Sequence, residues 1–324
     1  MQTERIVNLF VYIEGDRLCS FGAVVHLGQG SDDEKIAFLR DRVAVDAGQA
    51  THYPIPTASF NVWLGVDTKG DVTFDMFSYL CRIGKALLVF EHVLRSVDVS
   101  QQPLVCITPV KDGKPMANIL SHLDPVSTGG TMLVDEFGAQ VAKIDYLSRY
   151  VESGRLNLHD LLGDDFLAAI KLLHEHKLYV SATKLLVSFV DTMAYIEYGD
   201  KNGNCEEWLS AFAVLDDVGI TPAEFWEFRN GLLHMTNPFS RRVASGKVAS
   251  LRIYSDVLDR SVKRDEAGNA IMFSFEALYD AIMQAIDRWA VTYNGNLPKQ
   301  LEFIERYDVV HSEGRLGKMF LSSE

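Results

Sequence analysis

Three residues whose side chains can do chemistry together lie in one short segment of the sequence: Arg229, Asn230 and His234. A histidine exchanges a proton near neutral pH, so it can act as a general base or a general acid. An arginine keeps its charge, and its planar guanidinium matches the oxygens of a phosphate. Together, such residues can move a proton while holding charge on a phosphate.

The segment around these residues predicts one short helix with a signal at each end. Thr221 is a good N-cap, Pro222 suits the first helical position, and Glu224 completes a capping box. Asn237–Pro238 ends the helix, because proline cannot continue it. The apolar residues that recur every three or four positions, and that we expect to be buried, are Phe225, Phe228, Leu232 and Met235.

The spacing of the arginine and the histidine is weak evidence by itself. Asn230 and His234 are four residues apart and share one helix face, which Arg229 flanks. The composition alone predicts about half a match to this spacing in the chain. A second match, from Arg306 to His311, has no polar residue after the arginine and no cap, and we interpret it as accidental. The alternative for the first match is a surface arginine and a satisfied core histidine.

The composition excludes several classes of protein. The 324 residues suggest two domains, and a hydrophobic fraction of 48% allows a sizeable core. The net charge of −13 argues against a protein that coats nucleic acid along its whole surface, so any contact with nucleic acid must be a local basic patch. We find no signal peptide and no apolar stretch of membrane-spanning length, and expect a soluble cytoplasmic protein without membrane contact. The scattered cysteines, which fit a reducing compartment and offer no zinc site, are Cys19, Cys81, Cys106 and Cys205.

Residues 1–155 are predicted to form a mixed α/β domain. Runs rich in β-branched and aromatic residues on both sides of a Glu-Gly-Asp turn indicate an opening hairpin. The predicted strands are 6–13, 18–27, 60–66, 104–109 and 131–134, and the predicted helices are 31–45 and 73–96. This half contains no catalytic or binding motif that we can name.

Residues 156–324 are predicted to be mainly helical, which gives an α+β chain. The predicted helices are 166–177, 179–198, 206–216, 222–236 and 276–293, and a strand pair is predicted at 250–255 and 270–275. Short connections between consecutive helices favour antiparallel neighbours in a bundle. A tail containing Pro298 follows the last helix.

The helical half resembles the HEPN family over about residues 158–293. The run 167–198 is similar to the first two HEPN helices, with Ser181–Ala182 near the start of the second and Asp191 further along it. The family motif, an arginine, a polar residue and then a histidine on a later helix, is matched by Arg229, Asn230 and His234. The resemblance implies an all-α HEPN-like bundle that carries a small β-hairpin insertion.

The resemblance also implies an activity. HEPN ribonucleases cut RNA without a metal or cofactor, by attack of a 2′-hydroxyl on the adjacent phosphate. His234 would then move the proton, Arg229 would hold the phosphate charge, and Asn230 would orient His234 or donate to a phosphate oxygen. Asp191 would position Arg229, or is an ordinary helix-surface acid. The family brings two motifs together, which implies a homodimer with a composite site at its two-fold interface.

A basic segment follows the motif. Eight basic residues and two acids lie in residues 229–264, a local charge of +6 that suits a phosphate backbone. Tyr254 could stack a base. The alternative is a solvated loop balanced by the acidic remainder of the chain. The candidate RNA-binding residues are Arg241, Arg242, Lys247, Arg252 and Tyr254.

Three functions follow from these observations. The first is an endoribonuclease in toxin–antitoxin or antiviral defence, whose N-terminal domain binds an antitoxin or a signal ligand. The second is a non-catalytic HEPN-like module that binds nucleotide, RNA or protein. The third is an interaction protein in which Arg229 and His234 are structural.

Overall fold

The computed structural model describes residues 3–97, 103–116, 131–134, 140–143, 146–152, 155–237, 241–256, 258–267 and 269–311. It is an α+β chain with a sheet in its N-terminal part and mainly helices in its C-terminal part. The chain divides into two compact units, one ending at Asn157 and the next beginning at Leu158. None of the described helices is long and apolar enough to cross a membrane.

The N-terminal unit is built on a mixed five-stranded sheet. Its elements are β1 (Glu4–Glu14), β2 (Arg17–Gly28), α1 (Asp32–Asp46), β3 (Thr51–Tyr53), α2 (Thr57–Leu64), α3 (Phe74–Arg82), α4 (Ala86–Val89), α5 (Glu91–Ser96), β4 (Leu104–Lys111), β5 (Lys114–Pro115), β6 (Thr131–Val134), β7 (Gln140–Lys143), α6 (Leu147–Tyr150), β8 (Val151–Glu152) and β9 (Arg155–Leu156). The strand order is β3-β2-β1-β4-β5, with β1 antiparallel to β2 and parallel to β4. The predicted hairpin and the strand at 104–109 are confirmed.

The central strand explains this arrangement. β1 is apolar on both faces, because Ile6 packs with Leu39 of α1 while Val11, on the opposite face, pairs with Phe21. Phe21 contacts Phe90 at a ring separation of 4.7 Å. A strand buried on both faces must be covered on both, which is why helices follow β2 and precede β4.

Two predictions in this unit are wrong. The segment 60–66, predicted as a strand, lies mostly in α2, because its buried residues Phe60 and Leu64 are four apart and follow the helical period. The long helix predicted at 73–96 is three short helices, α3, α4 and α5. Gly84 has a φ of +77° just after α3, a left-handed conformation that ends a helix.

The C-terminal unit is a helical assembly with a small sheet. Its elements are α7 (Leu158–Leu162), a first π-helical segment (Gly163–Leu167), α8 (Ala168–Glu175), α9 (Tyr179–Tyr198), α10 (Asn204–Phe212), α11 (Pro222–Asn230), a second π-helical segment (Gly231–Met235), α12 (Arg241–Ala244), β10 (Ser250–Tyr254), β11 (Lys263–Arg264), β12 (Ala270–Ser274), α13 (Phe275–Val291) and α14 (Leu297–Tyr307). The prediction of a helix at 179–198 is confirmed. α9 buries nine of its residues and packs against α8, α10, α13 and α14.

Two further predictions need correction. The strands β10 and β12 are parallel, so they do not form the predicted hairpin; the chain first makes β11, which pairs antiparallel with β12. The predicted tail is helical over α14. Asn296 caps α14 through a bond from the Lys299 amide, and Pro298 lies in the first turn, where proline is tolerated.

Arg306, the arginine of the second match to the arginine–histidine spacing, has a structural role. The guanidinium of Arg306 donates from Nη1 to the carbonyl oxygens of Ile196 and Glu197, at 2.6 and 2.7 Å. These carbonyls belong to the last turn of α9, where no intrahelical partner exists. His311 is exposed beyond α14.

We expect Arg306→Ala to lower the free energy of unfolding by about 2–3 kcal/mol, because two carbonyls lose a charged donor. Urea denaturation of the full chain measures this change. Arg260→Ala, which breaks an ion pair with Asp280 whose side chains are about half exposed, is the control and should cost less than about 1 kcal/mol. Equal losses in the two variants would contradict the capping role.

Candidate active site

The predicted motif helix is present, with its cap. Thr221 Oγ1 accepts from the Glu224 amide and the Glu224 side chain accepts from the Thr221 amide, so the capping box is complete. Phe225 and Phe228 are buried and Leu232 is half-buried, as the predicted stripe requires. The side chain of Met235, and Pro238 as a whole, lie outside the described residues.

A change of helix type brings the motif residues together. In a regular α-helix, residues five apart point about 140° away from each other. The helix widens to the π form from Gly231, and the Thr236 amide donates to the Gly231 carbonyl five residues back. A π turn holds more residues, so residues five apart come closer to one face. Arg229 Nη1 lies 3.5 Å from His234 Nε2.

Asp191 holds the arginine from the neighbouring helix. Both Nε and Nη2 of Arg229 pair with Asp191 Oδ2, and the two side chains are 20% and 19% exposed. Arg229 Nη1 donates to Asn230 Oδ1 at 2.9 Å, and the guanidinium lies 4.9 Å from the ring centre of Trp226. The arginine is therefore fixed on three sides, with its Nη1 edge towards Asn230 and His234.

Because the Asp191 carboxylate is partly buried, its ionised form depends on the nearby charge of Arg229. Burial raises the pKa of Asp191, and the charge of Arg229 acts in the opposite direction. Burial and the nearby Asp191 raise the pKa of the Cys205 thiol, which therefore stays protonated. With Cys205 neutral, Arg229 is the cation that offsets the charge of Asp191.

Two side chains of the site, His234 and Asn230, have hydrogen-bonding atoms that can still bind a ligand. His234 is exposed, and within the described part of the chain its Nδ1 has no partner. Its Nε2 faces Arg229 Nη1, whose N–H groups can only donate, so Nε2 is the acceptor of this contact. The amide oxygen of Asn230 accepts from Arg229, so its Nδ2 group is left to donate.

Lys184, which was not predicted as a site residue from the sequence, also lies at the site. Its Nζ donates to Thr236 Oγ1 at 2.8 Å, at the C-terminal end of the second π-helical segment. Lys184 lies seven residues before Asp191 on α9, a spacing that puts both on one face. This seven-residue spacing from Asp191 is the signal in the sequence that could have indicated Lys184.

The predicted RNA-binding residues are only partly gathered at the site. Arg242 Nη1 pairs with Glu227 of α11 at 2.9 Å, and Lys247 and Arg252 are exposed. Among the described contacts none joins Lys247 or Arg252 to the motif. Tyr254 donates to the Ser261 carbonyl. Arg241 begins α12, but its side chain lies outside the described residues.

Other cations of this segment are bound internally. Lys263 pairs with Asp259 at 2.8 Å and lies 4.8 Å from the ring centre of Tyr254, over the face predicted to stack a base. Arg260 pairs with Asp280 of α13, and Arg264 donates to the Gly219 carbonyl at 2.8 Å. Arg229, Arg242 and Arg260 thus each meet an acid from outside residues 229–264, and these three acids offset about half of the local charge of +6.

We expect a strong energetic coupling between Arg229 and Asp191. Arg229→Ala should cost about 2–3 kcal/mol near neutral pH, because it leaves a partly buried carboxylate without its cation. In a double-mutant cycle with Asp191→Asn, the coupling should reach about 1–2 kcal/mol. The half-exposed pair Lys201 and Glu207 is the control, with a coupling below about 1 kcal/mol.

The cost of Arg229→Ala should also depend on pH. The raised pKa of Asp191 means that its ionisation opposes folding as the pH rises. Removing Arg229 raises this pKa further, so the cost should shrink on acidification from about pH 7.5 to about pH 4.5, as the carboxyl of the variant begins to take up a proton. Urea denaturation at both pH values measures it. A cost that is independent of pH would contradict the ion pair.

Comparison with known proteins adds no family to these observations: no protein-family model, no curated protein and no solved structure matches the chain.

Proposed function

We propose that the chain is a metal-independent endoribonuclease of the HEPN class. The observation that carries the proposal is the meeting of Arg229 Nη1, Asn230 and an exposed His234 at one point. A proton acceptor, a fixed cation and an amide donor are the groups that 2′-hydroxyl attack on a phosphate requires.

The reaction can be written with these groups. His234 takes the proton of a 2′-hydroxyl, and the 2′-oxygen attacks the adjacent phosphorus. The bond from phosphorus to the 5′-oxygen breaks, leaving a 2′,3′-cyclic phosphate and a 5′-hydroxyl. Arg229 Nη1 keeps its place and donates to a phosphate oxygen with the N–H that faces His234, a contact at the outer limit of a hydrogen bond. Asn230 Nδ2 donates to a second oxygen.

A single site supplies only half of the proton transfers. The attacking oxygen must lose a proton and the leaving 5′-oxygen must gain one, while one motif contains one histidine. We therefore propose a homodimer in which the second copy supplies the other His234, from an exposed position. The resemblance is also the basis for proposing a role in defence, with the N-terminal unit binding an antitoxin or a signal ligand.

A second candidate function is RNA binding without cleavage. The contacts of Arg229 favour this function, because each of the three side-chain nitrogen atoms of the arginine already has a protein partner. In that case the arginine joins α9 to α11, and the exposed groups beside it serve only to bind.

Cleavage of single-stranded RNA in excess EDTA separates the two functions. We expect the purified chain to cut, His234→Ala to lose about 100- to 10,000-fold in rate, and Arg229→Ala about 100- to 1,000-fold. His311→Ala, from the accidental match to the motif, is the matched control and should keep the wild-type rate. Equal rates for the His234 and His311 variants would exclude the catalytic assignment, and absence of cleavage by the wild type favours the binding function.

A further inference from the structure

Among the described residues, Lys184 is the cation of this site that has no acidic partner. Its Nζ contacts Thr236 Oγ1, and in the described part of the structure it pairs with no carboxylate. Arg229, in contrast, is paired with Asp191. The residues one turn before and after Lys184 on α9, none of them charged, are Val180, Ser181, Val187 and Ser188.

The position of Lys184 relative to the motif is set by two elements. On α9 it lies seven residues from Asp191, which is roughly 10 Å along the helix axis at 1.5 Å per residue. Its contact with Thr236 places it beside the end of the second π-helical segment, just past His234. Lys184 therefore lies beside the reacting groups, where α9 contacts the second π-helical segment.

The chemistry of this ammonium fits a phosphate. An ammonium group has three N–H donors, and Thr236 accepts one of them, so two remain for other oxygens. Ser188, one turn further along the same face of α9, is exposed and leaves the path towards Asp191 polar. An uncompensated charge with free donors beside a phosphate site adds affinity for the phosphate backbone of a nucleic acid.

We propose that Lys184 binds a phosphate of the RNA strand next to the scissile phosphate, and so fixes the direction of the strand across the site. This inference rests on the proposed function, because the scissile phosphate is placed by Arg229 and His234. A 2′-hydroxyl attacks in line only when its nucleotide leaves the A-form stack, so the bound strand is single-stranded. A flanking contact of this kind holds the strand without taking part in bond making.

Binding of a single-stranded 2′-O-methyl RNA oligonucleotide tests the proposal without catalysis, because this strand has no free 2′-hydroxyl. Fluorescence anisotropy over a range of salt concentrations gives the affinity and its salt slope. Removal of one phosphate contact should lower the slope by about 0.7 for a single strand. We expect this loss in Lys184→Met. Lys171→Met, the same change at an exposed position of α8, should keep the wild-type slope.

A purely structural role for Lys184 is separated by a second variant. Thr236→Val removes the bond to Lys184 but leaves the ammonium free, so it should keep the salt slope, whereas Lys184→Met should not. Equal slopes for Lys184→Met, Lys171→Met and the wild type would overturn the proposal, and so would a wild type that does not bind. A loss that is specific to Lys184, in a chain that binds RNA but never cleaves it, would support this contact and overturn the nuclease.

Discussion

The ion pair between Arg229 and Asp191 is the interaction on which the candidate site depends. It joins α9 to α11 through two residues that are 38 positions apart in the sequence, and their side chains are only about one-fifth exposed. A partly buried carboxylate is unfavourable alone, and a guanidinium bound by two nitrogen atoms cannot rotate freely. The ion pair therefore reduces the free-energy cost of partly burying the Asp191 carboxylate. It also orients the remaining nitrogen of Arg229, Nη1, towards the exposed side of the helix.

The histidine reaches that point through a local change in the helix. A regular α-helix would turn His234 well away from Arg229, whereas the π-helical segment brings their nitrogen atoms to 3.5 Å. π segments are often found at functional sites, because the extra residue in the turn redirects side chains. The site is thus built from one tertiary ion pair and one local change of helix type, and Lys184 extends from α9 to Thr236 at the end of the π-helical segment.

Local signals were sufficient for the motif helix and for α9. The capping box of Thr221 and Glu224, and the apolar period of 179–198, are set by residues near in sequence, and both were predictable. The π-helical segment was not, since no residue type marks it. The prediction of a strand at 60–66 was wrong because it relied on the aromatic and β-branched residues of the segment. The four-residue spacing of Phe60 and Leu64 instead indicates a helix.

Charge was the least predictable property, because it depends on partners that are distant in the sequence. Arg242 and Arg260 count as free cations along the chain, yet Arg242 meets an acid on α11 and Arg260 meets an acid on α13. Arg306 matches the motif spacing in the sequence, yet its guanidinium binds a carbonyl at the end of α9. A count of charges along a segment therefore overestimates what remains available to a phosphate.

The ends of the cut RNA test the proposed chemistry most directly. If a 2′-hydroxyl attacks the phosphorus while Arg229 and His234 act without a metal, each product made in excess EDTA carries a 2′,3′-cyclic phosphate or a 5′-hydroxyl. Mass spectrometry of the fragments of a defined oligonucleotide identifies these ends. Products with a 3′-hydroxyl and a 5′-phosphate would contradict the account, because they require attack by water instead of by the RNA itself.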